Sequence, residues 1–283
     1  MGVLLGAVVW YGNRPFKIVI EELYKLDLDF FEFSLDYPLP DCMERREIEE
    51  MKKLLEELDL KIAFHSPSDT PVAHPREEIA DANMRVLKRC FEFASSFFPL
   101  SLYYNLHLNP RFSAYKLKKV REETKIKSLQ RCEEVARIAS KFGMPMCVVN
   151  DDFVPFKRSD LIFDALSLFP NLYFTFDIGH AIIAEILGKK GIKGDSYLDY
   201  LKRWIEKCGP KILVVHLYDY SFSEEQDHLS IGRGDLDFNA IFEFLKSTNF
   251  KYVVIETFWR NKGKEEMTYE VLRRNVEFCR SYV

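Results

Sequence analysis

This sequence of 283 residues has little of what marks a secreted or a membrane protein. Its six cysteines stand far apart without a Cys-x-x-Cys pair, so we predict reduced structural thiols rather than a disulfide scaffold. The segment 1–10 is apolar but short and has no basic leader, which indicates a first β-strand rather than a signal peptide. No other run approaches the ~20 apolar residues that cross a bilayer. We therefore expect a cytoplasmic protein without a membrane partner.

An excess of positive charge is also absent. The 40 basic and 44 acidic residues leave a formal net charge of −4, which gives no overall attraction to nucleic-acid phosphates. Binding to DNA would therefore need a local basic patch. The basic residues between 116 and 127 are diluted by Glu122 and Glu123, and we interpret them as a solvated helix face. Glutamine is scarce, with only Gln130 and Gln226 beside abundant Lys and Glu, which suggests a thermophilic source.

Eight short apolar runs alternate with segments whose apolar residues recur at helical spacing. The runs are Val3–Trp10, Phe30–Leu35, Lys61–Phe64, Ser101–Leu106, Met146–Val149, Leu172–Phe176, Ile212–Val215 and Tyr252–Ile255. Eight such strand–helix units predict an α/β fold, a single-domain (β/α)8 TIM barrel over residues 1–283. An open doubly wound sheet is the alternative, but the segment 10–15 after the first strand contains no Gly-x-Gly-x-x-Gly or Walker loop.

Five of the six histidines stand at or just past the end of a predicted strand: His65, His107, His180, His216 and His228. In a parallel barrel those strand ends share one face, where active sites are built. Histidines delivered there repeatedly predict a converging metal site. His74 is the exception, because it lies inside the proline-rich loop between 66 and 76.

Two carboxylates and one histidine end three successive strands, as Phe-Thr-Phe-Asp177, Val-Val-His216 and Val-Ile-Glu256. A carboxylate after three apolar residues is costly to bury unless it is paired or bound to a metal. The mixed oxygen and nitrogen donors suit Mn²⁺, Zn²⁺ or Fe²⁺, with one or more ions. His180 follows in Asp-Ile-Gly-His and is predicted near a helix start, where it binds metal, substrate or the backbone. We therefore place Asp177, His180 and Glu256 in the catalytic machinery.

The ordered motifs carry a family resemblance. They are His-Ser-Pro at 65, Leu-His-x-x-Pro at 107, Asp-x-Gly-His-Ala at 177, Val-His-Leu-x-Asp at 216, His-x-x-Ile-Gly-x-Gly-x-x-Asp-Phe at 228 and Ile-Glu at 256. The chain resembles the xylose-isomerase-like TIM barrel superfamily, which contains endonuclease IV, of AP endonuclease family 2, and many sugar isomerases and epimerases. The resemblance covers about residues 3 to 280.

The resemblance implies metal ligands at seven positions. His65 and His107 match the first metal pair of endonuclease IV. Asp177, His216 and Glu256 match the ligands of its central metal, while His180 and His228 match two ligands of its third metal. The aspartate of that third site falls on Gln226 here, with Asp227 one residue away.

A larger departure lies on the fifth strand. Members of that superfamily usually have Glu-Asn at the positions where this chain has Val149 and Asn150. That glutamate bridges two metals in endonuclease IV and serves as a ligand and proton-transfer base in the sugar epimerases. Asp151 or Asp152 is a possible substitute ligand, but a shift of one residue reverses side-chain direction in a regular strand, so this requires an irregular backbone.

Three functions are compatible with these residues. The first is a metal-dependent isomerase or epimerase of a small sugar or sugar-like carbonyl compound, with proton transfer through an enediolate and with Glu32 and Asn150 as substrate-binding residues. The alternative is an endonuclease IV-like phosphodiesterase acting on abasic DNA, which is favoured by the histidines and disfavoured by the net charge and Val149. The third is a catalytically degenerate barrel with a binding role.

Overall fold

The computed structural model describes residues 2–9, 16–36, 40–108, 117–151, 160–186 and 197–283. Its centre is a closed barrel of eight parallel strands, each paired with its neighbours in sequence order and the last paired with the first. The strands are Leu4–Val9 (β1), Phe30–Ser34 (β2), Lys61–His65 (β3), Ser101–His107 (β4), Met146–Val149 (β5), Leu172–Asp177 (β6), Ile212–Leu217 (β7) and Tyr252–Ile255 (β10). The predicted TIM barrel is confirmed, and each predicted run overlaps one strand, although β3, β4, β6 and β7 extend one or two residues beyond the predicted end.

Nine helices surround the barrel within the described residues: Phe16–Tyr24 (α1), Arg45–Glu57 (α2), Glu77–Ser95 (α3), Lys118–Phe142 (α4), Asp160–Leu168 (α5), Ile178–Ile186 (α6), Tyr197–Cys208 (α7), Phe238–Leu245 (α8) and Tyr269–Arg280 (α9). Short 3-10 turns cover Pro40–Cys42 and Gly209–Lys211. The helices pack through apolar residues spaced by three or four, such as the buried Met51 and Leu55 of α2. In the described part of the chain, no helix is long and apolar enough to cross a membrane.

The barrel interior and the helical shell form two apolar clusters. Phe30, Tyr103, Cys147, Val214 and Val254 help to fill the interior, as stacked side chains do in other barrels of this type. The larger cluster lies between the strands and the helices. All six cysteines are free, as predicted.

The predicted basic helix face lies largely on α4, and Lys116 is outside the described residues. Lys125 Nζ lies 2.5 Å from the Asp164 carboxylate, and Lys127 pairs with Glu77. These lysines therefore pair with acidic residues of neighbouring helices.

A small second sheet stands beside the mouth of the barrel. It consists of Asp219–Ser221 (β8), Gln226–Leu229 (β9), Trp259–Asn261 (β11) and Glu265–Glu266 (β12), in the order β12-β11-β9-β8. These strands belong to the connections that follow β7 and β10. The sheet therefore brings residues of these two connections, including His228 and Trp259, to the carboxyl ends of the barrel strands.

The buried carboxylate of Asp219 holds the loop that follows β9. Its Oδ2 accepts hydrogen bonds from the backbone N–H groups of Gly232 and Gly234 at 2.9 and 2.8 Å. Its Oδ1 accepts from Tyr220 and Leu236 at 2.8 and 3.2 Å. Backbone donors of this kind satisfy a buried charge without a cation.

Candidate metal centre and substrate cavity

Asp177, His216 and Glu256 converge at the carboxyl ends of β6, β7 and β10. Asp177 is the register partner of His216, and Glu256 follows the last residue of β10. His216 Nδ1 lies 2.8 Å from Glu256 Oε2 and 3.8 Å from Asp177 Oδ2. One donor atom from each residue lies within 4.8 Å of the others. This spacing allows the three side chains to bind a single metal ion.

Several buried oxygen and nitrogen atoms that could bind a metal in this region lack a hydrogen-bond partner among the described residues. They include Asp177 Oδ2, Glu256 Oε2, His107 Nδ1 and His228 Nδ1. Glu256 Oε2 is close to His216 Nδ1 but does not have hydrogen-bond geometry with it. Buried lone pairs without donors are expensive, and a cation bound among them would compensate for that cost. The chemistry of the donor set therefore fits a divalent metal.

Glu32 lies behind His216, on the side opposite Glu256. Both oxygens of the Glu32 carboxylate are 3.3 Å from His216 Nε2. Glu32 Oε2 also accepts hydrogen bonds from Tyr103 Oη at 2.8 Å and Asn105 Nδ2 at 2.7 Å, and Thr175 donates to Asn105 Oδ1 at 2.6 Å. A carboxylate that accepts the Nε2 proton of a histidine leaves the Nδ1 lone pair for a metal.

The orientation of Asp177 is set by three neighbouring groups. Its Oδ1 accepts hydrogen bonds from Tyr218 Oη and from the His180 backbone N–H, both at 2.7 Å. Asn150 Nδ2 donates a hydrogen bond to the Asp177 carbonyl oxygen at 2.7 Å, and Asn150 Oδ1 accepts one from the Asp177 backbone N–H at 2.8 Å. Oδ1 is thereby engaged, and Oδ2 is the oxygen that lies near His216.

Gly179 allows Tyr218 to reach Asp177. A Cβ atom at Gly179 would lie only 2.0 Å from Tyr218 Cε2 and 2.5 Å from its hydroxyl oxygen. The Tyr218 ring is fully buried and lies 4.0 Å, centroid to centroid, from the ring of His228. The Asp-Ile-Gly-His motif therefore needs glycine for close packing.

The buried charges shift one another's pKa values. Burial alone would lower the pKa of His216, but the carboxylates of Glu256 and Glu32 outweigh it and raise that pKa well above its ordinary 6.5. Burial alone would raise the pKa of Glu256, but His216 holds it well below its ordinary range. Burial raises the pKa of Asp177. Without a metal, a protonated His216 thus compensates the two glutamates.

A second group of possible ligands consists of His180, Asp227 and His228, whose donor atoms also lie within 4.8 Å of one another. The β8–β9 pairing shifts register, since Ser221 is two positions after Asp219 whereas Leu229 is three positions after Gln226. His228 has a φ of 51°. Such a bulge lets consecutive residues face the same side. Gln226 instead donates to Asn261 O and accepts from Gly263 N–H, so Asp227 is the acidic residue brought to the two histidines.

His65 and His107 face each other across β3 and β4, with ring centroids 5.0 Å apart. The Asp151 carboxylate, whose side chain is only 7% exposed, lies 3.7 Å from His107 Nδ1. Burial lowers the pKa of His107 well below 6.5, so the ring is neutral at physiological pH. Val149 is fully buried at the end of β5. Asp152 lies outside the described residues.

Two cavities open beside these side chains. The larger, of about 710 Å³, is lined by Glu32, Asp36, His65, Glu256 and the aromatic wall of Phe258, Trp259 and Tyr269, among others. The smaller, of about 650 Å³, has His107, Asp151, His180 and His228 at its inner end. His107 and Ser68 line both cavities. Their sizes are those of small-molecule sites.

Sequence reasoning missed Tyr218, Asn105 and Thr175, which hold Asp177 and Glu32 in place. No spacing identifies such partners, because each contact joins residues that are far apart in the sequence. Tyr218 had the clearest available signal, since it lies in the same motif as His216, two residues further along the chain.

Comparison with known proteins identifies the fold. The model of the family described as xylose isomerase-like TIM barrel matches residues 20–282. No curated protein sequence matches the chain significantly. Similar solved structures include D-allulose 3-epimerase from Methylomonas sp. in complex with D-allulose, at 16% identity, a TM-score of 0.74 and coverage of 100% of this chain and 98% of that one.

Two further structures resemble the chain. D-psicose 3-epimerase from Clostridium cellulolyticum H10 with D-tagatose is 14% identical, with a TM-score of 0.70 and coverage of 99% of both chains. The apo form of 3-keto-D-glucoside 4-epimerase from E. coli is also 14% identical, with a TM-score of 0.72 and coverage of 99% of both chains. At these identities the likeness establishes the fold alone.

Proposed function

Because the chain belongs to the xylose isomerase-like TIM barrel family, we propose that it is a metal-dependent isomerase or epimerase of a small sugar or sugar-like carbonyl compound. The observation that carries the proposal is the convergence of Asp177, His216 and Glu256 beside a cavity of about 710 Å³. The epimerases of similar fold act on substrates of this class according to their names. The proposed location is cytoplasmic.

Asp177, His216 and Glu256 are the residues that would hold a divalent ion such as Mn²⁺, Zn²⁺ or Fe²⁺. When bound, the ion supplies a Lewis acid that polarises the carbonyl and neighbouring hydroxyl oxygens of the substrate. Tyr218 and Asn150 hold Asp177, and Glu32 holds His216. We therefore assign positioning roles to Glu32 and Asn150, and Glu32, which lines the larger cavity, is also a proposed substrate-binding residue.

Glu256 is the proposed proton-transfer residue. Its side chain is 14% exposed and lines the larger cavity, whereas Asp177 and His216 are 1% exposed. The Glu256 carboxylate takes the proton from the carbon beside the carbonyl, and the electron pair of that C–H bond forms the double bond of an enediolate. Return of the proton to the former carbonyl carbon, together with transfer of the hydroxyl proton to the former carbonyl oxygen, completes an aldose–ketose isomerisation.

The stereochemical outcome depends on a second acid. Epimerisation at one carbon requires a proton to be delivered to the face opposite Glu256. The β5 position that carries a glutamate in the sugar epimerases is Val149, which is apolar and buried. Asp151, beside His107 at the inner end of the smaller cavity, is the described carboxylate best placed to replace it. One-base isomerisation needs only Glu256 and is the simpler reaction for this chain.

One specific observation favours the alternative function, an endonuclease IV-like phosphodiesterase acting on abasic DNA. His180, Asp227 and His228 provide a second possible ligand group next to the first. Clustered metals activate water and stabilise the leaving oxygen in phosphodiester hydrolysis. The number of bound ions therefore distinguishes the two candidates.

The first test is elemental analysis of protein purified without chelator, for wild type and His216→Ala. One ion per chain that is lost in the variant supports the isomerase proposal. Two or more ions, reduced in the variant, favour the phosphodiesterase and lead to cleavage assays on an abasic-site oligonucleotide. No metal, even after reconstitution, refutes both and leaves a binding role.

The second test is hydrogen exchange during turnover. The metal-loaded protein is incubated in D₂O with a panel of aldoses and ketoses, and deuterium beside the carbonyl is followed by NMR. We expect exchange in wild type and its loss in Glu256→Gln, which keeps the shape but cannot take a proton; because Glu256 is also a proposed metal ligand, the comparison uses variant protein whose metal content equals that of wild type. Glu266→Gln is the matched control, because Glu266 lines the same cavity but is exposed on β12. Equal exchange in wild type and Glu256→Gln contradicts the assignment.

A further inference from the structure

The outer end of the smaller cavity is formed by residues that play no part in the proposed metal centre. Ser68, Asp69, Pro71 and His74 come from the loop after β3, and Ile79 and Asn83 come from α3. His74 is also the one histidine in the sequence that is not among the proposed metal ligands.

Two polar side chains in this outer region have fixed donor and acceptor roles. His74 Nδ1 accepts a hydrogen bond from the backbone N–H of Arg76 at 3.1 Å, so the proton of the neutral ring is on Nε2. Asn83 Nδ2 donates to Pro71 O at 3.0 Å, which orients the amide and assigns its Oδ1 as an acceptor. The cavity wall therefore combines one defined donor with one defined acceptor.

An apolar surface lies beside these polar groups. Ile79 and Asn83 are four residues apart on α3 and share one face of the helix. Ile79 is 40% exposed and lines the cavity together with Pro71. A sugar ring has the matching chemistry, because its hydroxyl groups are donors and acceptors and its C–H face is apolar.

The outer region is continuous with the candidate active site. Ser68 and His107 border both cavities, and the larger one contains Glu256. A single monosaccharide beside Glu256 would leave the outer part of the smaller cavity unfilled, since each cavity alone has the size of a small-molecule site.

We propose that the substrate is a disaccharide or a glycoside whose second, non-reacting sugar unit lies on Ile79 and Pro71 and hydrogen-bonds to His74 Nε2 and Asn83 Oδ1. This inference rests on the proposed function. The reacting unit occupies the larger cavity beside Glu256, and the link between the two units passes His107. Binding of the second unit lowers the dissociation constant without taking part in proton transfer.

The test compares paired saccharides on the Zn²⁺-loaded protein. Dissociation constants are measured by NMR titration for glucose and fructose, and for the disaccharides cellobiose, maltose and isomaltulose. We expect at least one disaccharide to bind about tenfold or more tightly than its monosaccharides, as two or three added hydrogen bonds and buried apolar surface allow.

Two variants remove the outer contacts without touching the metal centre. His74→Phe keeps an aromatic ring but lacks the Nε2 proton, and Asn83→Leu removes the acceptor. Each should weaken disaccharide binding about three- to tenfold, the effect of one neutral hydrogen bond, and leave monosaccharide binding unchanged. Lys88→Ala, on the exposed surface of α3, is the control and should change neither constant.

Three results overturn the inference: no disaccharide binds more tightly than its monosaccharides, no saccharide binds at all, or His74→Phe weakens both classes equally. Deuterium exchange into a monosaccharide without any disaccharide preference would overturn only the outer sugar site and leave the proposed isomerase in place.

Discussion

Replacement of Gly179 by alanine provides a sharp test of the packing around Asp177. At a helical position this change ordinarily stabilises a protein by about 0.5–1 kcal/mol, because glycine loses more backbone freedom on folding. Here the new Cβ would lie 2.0 Å from Tyr218 Cε2, whereas non-bonded carbon atoms prefer roughly 3.5–4.0 Å. Tyr218 is fully buried, so its ring cannot move without disturbing other contacts.

The expected cost combines overpacking with the loss of a charge-assisted hydrogen bond. Overpacking of a core costs about 1–3 kcal/mol, and a hydrogen bond to a charged group contributes about 1.5–3 kcal/mol. We therefore expect Gly179→Ala to lower the free energy of unfolding by about 2–5 kcal/mol. Because Tyr218 Oη donates to Asp177 Oδ1, metal affinity should fall about 10- to 100-fold as well.

The assay is urea unfolding of the metal-free protein, followed by a metal titration of each variant. Gly209→Ala is the matched control, because its Cβ would meet Thr248 Cγ2 at 3.6 Å and Ile205 Cγ2 at 3.8 Å, which are ordinary contacts. It should change stability by no more than about 0.5 kcal/mol. Gly179→Ala should also cost less in a Tyr218→Leu background, because the shorter side chain leaves room. A neutral or stabilising effect of Gly179→Ala in the wild-type background would refute the reasoning.

Three further predictions follow from buried charges. Glu32→Gln should lower metal affinity about 10- to 100-fold in a calorimetric titration while the circular dichroism spectrum is retained. The reason is that a neutral amide oxygen accepts the His216 Nε2 proton more weakly than a carboxylate does. An unchanged metal affinity would contradict the positioning role of Glu32. Asp219→Asn should lower the free energy of unfolding by about 2–4 kcal/mol and expose the loop 231–236 to proteolysis, because four backbone N–H groups lose a charged acceptor; wild-type resistance to protease would argue against it. In EDTA, the urea concentration at the unfolding midpoint should decrease as the pH is raised from 6.5 to 8.5. The pKa of His216 is raised in the folded state, so His216 stabilises the fold fully below its unfolded-state pKa, and this stabilisation is lost as the pH rises toward the folded-state pKa. The raised pKa of Asp177 also makes the fold less stable as the pH rises, whereas the lowered pKa of His107 affects stability only below about pH 6.5. An unfolding midpoint that increases with pH would contradict the assigned pKa shifts.

The barrel itself was predictable because its signal is local. Each strand is a short apolar run and each helix has apolar residues at regular spacing, and both patterns are visible without knowing any long-range contact. Parallel strands in a closed barrel place their carboxyl ends on one face by necessity. The approach of Asp177, His216 and Glu256 follows from that rule and from their positions at the strand ends. Their roles as ligands remain predictions.

Other features depend on irregular backbone, which side-chain periodicity does not reveal. The alternation of a regular strand places Asp227 and His228 on opposite sides, and only the bulge in β9 with the positive φ at His228 brings both toward His180. Asp151 is similar, since it reaches His107 from just beyond the end of β5. The family motif, applied at fixed spacing, therefore placed the aspartate of the third metal site at Gln226, whereas the structure brings Asp227 to His180 and His228.

The sequence alone determined the (β/α)8 architecture and the set of side chains delivered to the carboxyl face, because both arise from the order of residues along single elements. The tertiary structure decided which atoms of those side chains point at one another. Glu32 behind His216, Tyr218 against Gly179 and the orientation of His74 all join residues from separate elements. Such contacts are set by packing and hydrogen bonding across the fold, and no spacing within the chain encodes them.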